Sequence, residues 1–175
     1  MSRPIYVVAF PSWTDAARVP VEAFRTQHDP HAALLGAHFT LVFGSTLAAE
    51  VIAEEVRAVA ARVPVVPFKI GRAARMQSGG GATLAVLVPD LGQAAIGALH
   101  DALHRGALAP EWRLEIDFHP HLTIGCAATP ALAQALCDRW NDAGAELCGV
   151  LETLTVGALD EGAFRVESTH RLRTP

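Results

Sequence analysis

The chain is short of aromatic residues, at 6% of its 175 residues, and has only three cysteines; acid outnumbers base, 18 Asp and Glu against 14 Lys and Arg. Each scarcity excludes something. Cys126, Cys137 and Cys148 are odd in number and form no Cys-x-x-Cys pair, which argues against a disulfide framework and predicts reduced, buried thiols in a cytoplasmic protein. The net charge of −4 argues against binding long DNA or RNA, because that affinity comes mainly from lysine and arginine at phosphates. No strong basic stripe is present. A small anionic ligand held by a few local groups stays compatible. No apolar run approaches the roughly 18 residues that span a membrane, and Met1-Ser2-Arg3-Pro4-Ile5 lacks the regions of a signal peptide.

There is ample material for a core, since 51% of the residues are hydrophobic. The length predicts a single domain over residues 1–175, made of two similar lobes. Ile5 to Phe10 reads as a buried strand stopped by Pro11. The region to Gly36 is mixed, with a short helix and a loop around Phe24 to His31. Leu47 to Arg62 has Val51, Ile52, Val56 and Val59 at near-helical spacing and predicts a helix. Val65 to Met76 and Ala82 to Val88 read as strands joined by a Gln77-Ser78-Gly79-Gly80-Gly81 turn, with a helix from Leu91 to Arg105. In the second half, Asp117 to Ile124 reads as a strand. Pro130 to Asp142 reads as a helix capped by Thr129, and Cys148 to Leu159 and Phe164 to Leu172 as strands around an Asp160-Glu161-Gly162 turn.

Two stretches say nearly the same thing: His38-Phe39-Thr40-Leu41-Val42-Phe43 and His121-Leu122-Thr123-Ile124-Gly125. Residues i and i+2 of a strand share a face. Each stretch therefore aims His and Thr to one side, while Phe39, Leu41 and Phe43, with Leu122 and Ile124, pack on the other. The stretches stand 83 residues apart (121 − 38) at equivalent places of a repeated strand, helix, strand, turn, strand order. Phe68-Lys69-Ile70-Gly71 and Leu154-Thr155-Val156-Gly157 echo each other as well. Two such strands facing each other form one cleft with two imidazoles and two hydroxyls, an inventory suited to general acid–base chemistry at a phosphate.

These residues resemble the two-histidine (2H) phosphoesterases, which include 2′-5′ RNA ligase-like proteins and cyclic phosphodiesterases. The likeness rests on the paired His-x-Thr-x motifs, on Phe24-Arg25 and Asp29-Pro30 ahead of the first, and on Pro120-His121-Leu122-Thr123 at the second. It runs from about Ile5 to Leu172. Ala37 stands where relatives often have proline, and Phe39 is bulkier than the usual aliphatic. The resemblance implies an α+β, bilobal, pseudo-symmetric fold in which two antiparallel sheets form a concave cleft and helices cover the outer faces. It also implies catalysis by His38 and His121, with Thr40 and Thr123 holding the phosphate.

A histidine with a pKa near 6.5 supplies both proton-transfer forms near neutrality. One neutral imidazole takes a proton from water while an imidazolium opposite protonates the departing ribose oxygen, and the hydroxyls donate to the non-bridging oxygens. That chemistry requires neither metal nor cofactor. The expected substrate is a small nucleotide or RNA end carrying a 2′,3′-cyclic phosphate or 2′-5′ phosphodiester, handled by a monomer. The alternatives are a nucleotide-binding module without significant turnover and a 2′-5′ RNA-end ligase.

Weaker candidates surround this pair. His119 shares parity with His121 and could touch substrate, and Lys69, Arg72 or Arg75 could meet a phosphate from a strand bordering the cleft. Phe10 or Trp13, after the first strand, could stack on a base, but each is expected in the core. His100 and His104, four apart on a helix, superficially resemble a zinc motif but lack a third ligand and the required glutamate, which predicts a solvent-facing pair. The Gly79-Gly80-Gly81 run lacks the lysine of a phosphate loop and reads as a hairpin turn.

Overall fold

The structure, a computed structural model, describes residues 3–78, 80–112, 117–160 and 162–174. In chain order it comprises β1 (Ile5–Ala9), β2 (Pro11–Trp13), α1 (Asp15–His28), β3 (Phe39–Ser45), α2 (Ala49–Ala60), β4 (Val66–Ile70), β5 (Arg72–Gln77), β6 (Thr83–Val88) and α3 (Gln93–Leu103). A 3-10 helix (Gly106–Glu111), β7 (Leu122–Ala127), α4 (Pro130–Asp142), β8 (Leu147–Leu151), β9 (Thr153–Asp160) and β10 (Ala163–Arg171) complete it. The strands form two antiparallel sheets, as expected for this α+β class. One has seven strands in the order β10-β9-β1-β3-β7-β6-β5, and the other has three in the order β2-β8-β4.

The chain crosses between sheets at two places where its hydrophobic pattern runs on unbroken. The single strand predicted over Val65 to Met76 divides at Gly71 into β4 of the small sheet and β5 of the large one. Asp90 Oδ2 accepts the Gly71 N–H there at 2.6 Å, and a Cβ on Gly71 would lie 2.8 Å from that oxygen, so a side chain would have to displace the carboxylate. The strand predicted over Cys148 to Leu159 likewise divides at Glu152 into β8 and β9. Phe68 to Gly71 therefore corresponds to β8 rather than to Leu154 to Gly157, because β4 and β8 are the partners in the small sheet.

Helix α1 reaches well beyond the short helix expected near Phe24. Thr14 caps it by accepting the Ala17 N–H at 3.4 Å, and Ala17, Val21 and Arg25 recur every fourth residue to form its buried face. An arginine on that face hides the apolar period. Helices α2 and α4 follow their patterns, and the Thr129 hydroxyl caps α4 by accepting the Leu132 N–H at 3.3 Å. The helices pack on the sheet, α1 against β7, α2 against β9 and β10, α3 against β3, and α4 against β5, β6 and β7.

The three cysteines are free, as expected, but only Cys137 is buried, and Cys148 is exposed on β8. Among the described residues, no helix is long and apolar enough to cross a membrane. Gly79 and Glu161 of the two predicted turns lie outside the described residues.

Candidate active site

The segment leading into His38 is held by a buried guanidinium. Arg25, with 1% of its side chain exposed, donates to Asp29 Oδ2 through Nε at 3.1 Å and Nη2 at 2.9 Å. It also donates to Glu22 Oε2 at 3.0 Å and to the Leu35 carbonyl at 3.1 Å. Glu22 in turn accepts the Ala37 N–H at 2.7 Å, and Asp29 accepts the His31 N–H at 2.9 Å. The planar fork of arginine suits this bidentate use, and the network ties the helix end to the residue preceding His38. Phe24-Arg25 and Asp29-Pro30 were legible as familiar residues; the part played by Glu22 was not.

The two His-x-Thr stretches lie side by side on neighbouring strands of the large sheet rather than on facing ones. Phe39 of β3 pairs directly with Leu122 of β7, and both side chains are fully buried. One step along this antiparallel register sets His38 opposite Thr123 and Thr40 opposite His121. Alternation then turns all four to the face opposite the Phe39–Leu122 pair, where each is half-buried.

Strand β3 bulges just beyond. Thr40 pairs with Val8 and Val42 with Val7, so Leu41 is an extra residue. The parity changes there, and Phe43, expected to pack against the helices, is 49% exposed. Strand β7 starts only at Leu122, later than the predicted Asp117, since Pro120 has no N–H for a ladder.

Both imidazoles are oriented in the same way. His38 Nδ1 lies 2.8 Å from the Gly36 carbonyl oxygen, and His121 Nδ1 lies 2.7 Å from that of His119. A carbonyl only accepts, so each Nδ1 carries hydrogen and donates it. Each Nε2 is then a lone pair in the neutral ring and a donor in the imidazolium. Burial pushes both pKa values below 6.5. The backbone carbonyls, and Asp29 at His38, oppose that shift, while Arg25 and the His121 ring lower His38 further and the His119 ring lowers His121. The Phe10 ring stands edge-on to His38 with centroids 6.1 Å apart.

A cavity of about 390 Å³ opens beside His121 and His119, with Phe43, Met76 and Leu84 among its lining residues. His38, Thr40 and Thr123 do not line it. His100 and His104 do, and they are not the solvent-facing pair their spacing predicted: they are 7% and 5% exposed. Phe118 folds back to stack on His100 with centroids 3.9 Å apart, and Trp112 approaches both rings.

Lys69 sits in the small sheet, its Nζ 2.7 Å from Glu146 Oε2, and does not line the cavity. Arg72 is exposed at the start of β5 and also stands outside it, as does Arg75. Trp13 packs on Phe68, centroids 6.2 Å apart, as expected of a core residue. Among the described residues no cluster of three or more His, Cys, Asp and Glu is arranged to hold a metal ion.

Comparison with known proteins shows the family and the fold. Residues 13–163 match the profile of the 2′-5′ RNA ligase superfamily. No curated protein matches the chain. Among solved structures, the TT0787 protein of Thermus thermophilus superposes with a TM-score of 0.64 at 15% identity, covering 98% of each chain. Apo E. coli LigT gives 0.57 at 17% identity over 97% of each chain. Kluyveromyces marxianus Usb1 gives 0.57 at 9% identity over 98% of this chain and 99% of its own. The chain belongs to the 2′-5′ RNA ligase superfamily, the two-histidine phosphoesterases that its paired His-x-Thr stretches resemble.

Proposed function

We propose that this protein is a metal-independent phosphoesterase that hydrolyses a 2′,3′-cyclic phosphate or 2′-5′ phosphodiester of a nucleotide or RNA end, with His38 and His121 as general acid and base. The observation that carries this reading is the matched pair of Nδ1–H to carbonyl bonds, which leaves Nε2 of both rings for proton transfer. One neutral Nε2 removes a proton from water as its oxygen attacks phosphorus. The other ring, protonated at Nε2, gives its proton to the ribose oxygen as the P–O bond breaks. Thr40 and Thr123 donate their hydroxyls to the non-bridging oxygens, where charge accumulates. With a ribose hydroxyl in place of water as the nucleophile, the base takes the hydroxyl proton as its oxygen bonds to phosphorus and the acid protonates the ring oxygen that leaves, so a ligase reaction at a cyclic phosphate uses the same groups.

The solved structures that superpose include E. coli LigT complexed with 3′-AMP and K. marxianus Usb1 with uridine monophosphate, which makes a small nucleotide the natural first probe. The test is incubation with a panel of 2′,3′-cyclic nucleotides in excess EDTA. A nucleoside monophosphate product is expected. Saturable binding without product would favour a nucleotide-binding module, and loss of turnover on adding EDTA would contradict metal independence.

A further inference from the structure

Building on the phosphoesterase reading, we propose that the cavity of about 390 Å³ beside His121 receives the substrate's nucleobase and selects guanine. The cavity has a structural cause. Among the described residues strands β3 and β7 pair at Phe39 and Leu122 alone, so the second half of β3 runs on beside the irregular 117–121 segment. A base attached to a ribose whose phosphate lies at His121 has this adjoining space to enter. Its walls include Phe43, Met76 and Leu84, which offer apolar surface to a flat ring.

Beside Ser78 and His119, the polar lining offers a group of acceptors from His100, His104 and Glu111. The Asp101 carboxylate accepts from His100 Nδ1 at 3.0 Å, and the His100 carbonyl accepts from His104 Nδ1 at 2.9 Å. In the neutral rings both remaining Nε2 atoms are lone pairs. Burial keeps His100 below its ordinary pKa, which favours that form. Glu111 also lines the cavity. Its Oε1 accepts from Ser45 Oγ at 2.8 Å and from the Thr46 N–H at 3.3 Å, and its second oxygen takes no bond from the described residues.

Acceptors select donors. Uracil offers one ring N–H between two carbonyls, and adenine and cytosine each offer an amino group beside a ring acceptor. Guanine alone presents a ring N–H and an amino group side by side. Its O6 needs a donor, and Gln77 on the same lining has one: its amide oxygen is taken by Thr83 Oγ1 at 2.8 Å, which leaves the amide N–H groups. A buried acceptor left without a partner by the wrong base is a source of discrimination larger than any difference in contact area.

The test is calorimetric titration of the full chain with 3′-GMP, 3′-AMP, 3′-CMP, 3′-UMP and 3′-IMP, which lacks the guanine amino group. We expect 3′-GMP to bind at least roughly tenfold more tightly than 3′-AMP, with 3′-IMP between them. Glu111→Gln and, with the ring shape kept, His104→Phe should each shrink the GMP-to-AMP ratio by about tenfold, while Phe43→Ala should weaken every base alike. Equal or absent binding of the nucleotides would overturn the proposal, and so would a guanine preference that Glu111→Gln and His104→Phe leave intact. Guanine preference without hydrolysis of the cyclic phosphates would instead count against the phosphoesterase reading alone. Turnover without base preference would count against the pocket alone.

Discussion

Phe39 and Leu122 lie directly opposite each other on neighbouring strands, both fully buried, and theirs is the one pairing between β3 and β7 among the described residues. The contact joins the two halves of the sheet and turns the flanking histidines and threonines outward together. Phe39 also meets Phe68 of the small sheet edge-on, with centroids 5.4 Å apart. Replacing Phe39 by Ala should therefore cost about 3–5 kcal/mol of stability, measured by denaturant unfolding. Turnover of the folded fraction should fall as well, since His38 and His121 lose their common support. A loss within the range of surface substitutions would show that this pair does not hold the halves together.

The Arg25–Asp29 pair is buried, with 1% and 2% of the side chains exposed, and it lies at the root of the segment that ends in His38. Arg25→Met leaves the Asp29 carboxylate without its partner and should destabilise the fold by about 3–5 kcal/mol. Arg25→Lys should restore little of this, because an ammonium cannot form the two-pronged contact or reach Glu22 and Leu35 together. Thermal melts of the two variants decide the point.

Acid should weaken the fold. His28, His38, His100, His121 and His170 all have pKa values lowered from 6.5, each chiefly by burial. Between the folded pKa values and 6.5 the unfolded chain binds more protons than the folded one. Stability therefore rises with pH through that window and is lost as pH falls back through it. Unfolding followed from pH 7 toward pH 5 should show a declining free energy, and NMR titration should place the His38 and His121 midpoints below 6.5.

The same shifts set the pH dependence of catalysis. Acid–base catalysis by two imidazoles needs one neutral and one charged, so kcat/KM should trace a bell as the base loses its proton and then the acid does. Since burial holds both below 6.5, the maximum should fall on the acid side of that value. The two apparent pKa values belong to the pair rather than to either ring. A profile rising without a descending limb through pH 8 would contradict the paired assignment.

What could be read from the residues was what is decided locally. The His-x-Thr stretches sort their own side chains by strand alternation, and Thr129-Pro130 announces α4 by its cap. Elements settled by distant partners stayed hidden. The crossovers at Gly71 and Glu152 interrupt runs that look continuous, because the choice of sheet depends on what each half pairs with. Helix α1 conceals its apolar stripe behind Arg25, whose partners appear only once the 29–37 segment folds over it. His100 and His104 looked solvent-facing because Phe118, which stacks on His100, arrives from outside their helix. The Leu41 bulge, which exposes Phe43, leaves no mark on the hydrophobic pattern.

The central claim is that His38 and His121 work as one acid–base unit. The most direct measurement is the rate of 2′,3′-cyclic nucleotide hydrolysis in EDTA by His38→Ala, His121→Ala and the double variant, each shown by circular dichroism to be folded. Each single replacement should lower the rate by roughly 10²–10⁴-fold. The double replacement should cost little more than either one, as expected of residues that act together. Wild-type rates in both single variants would contradict it.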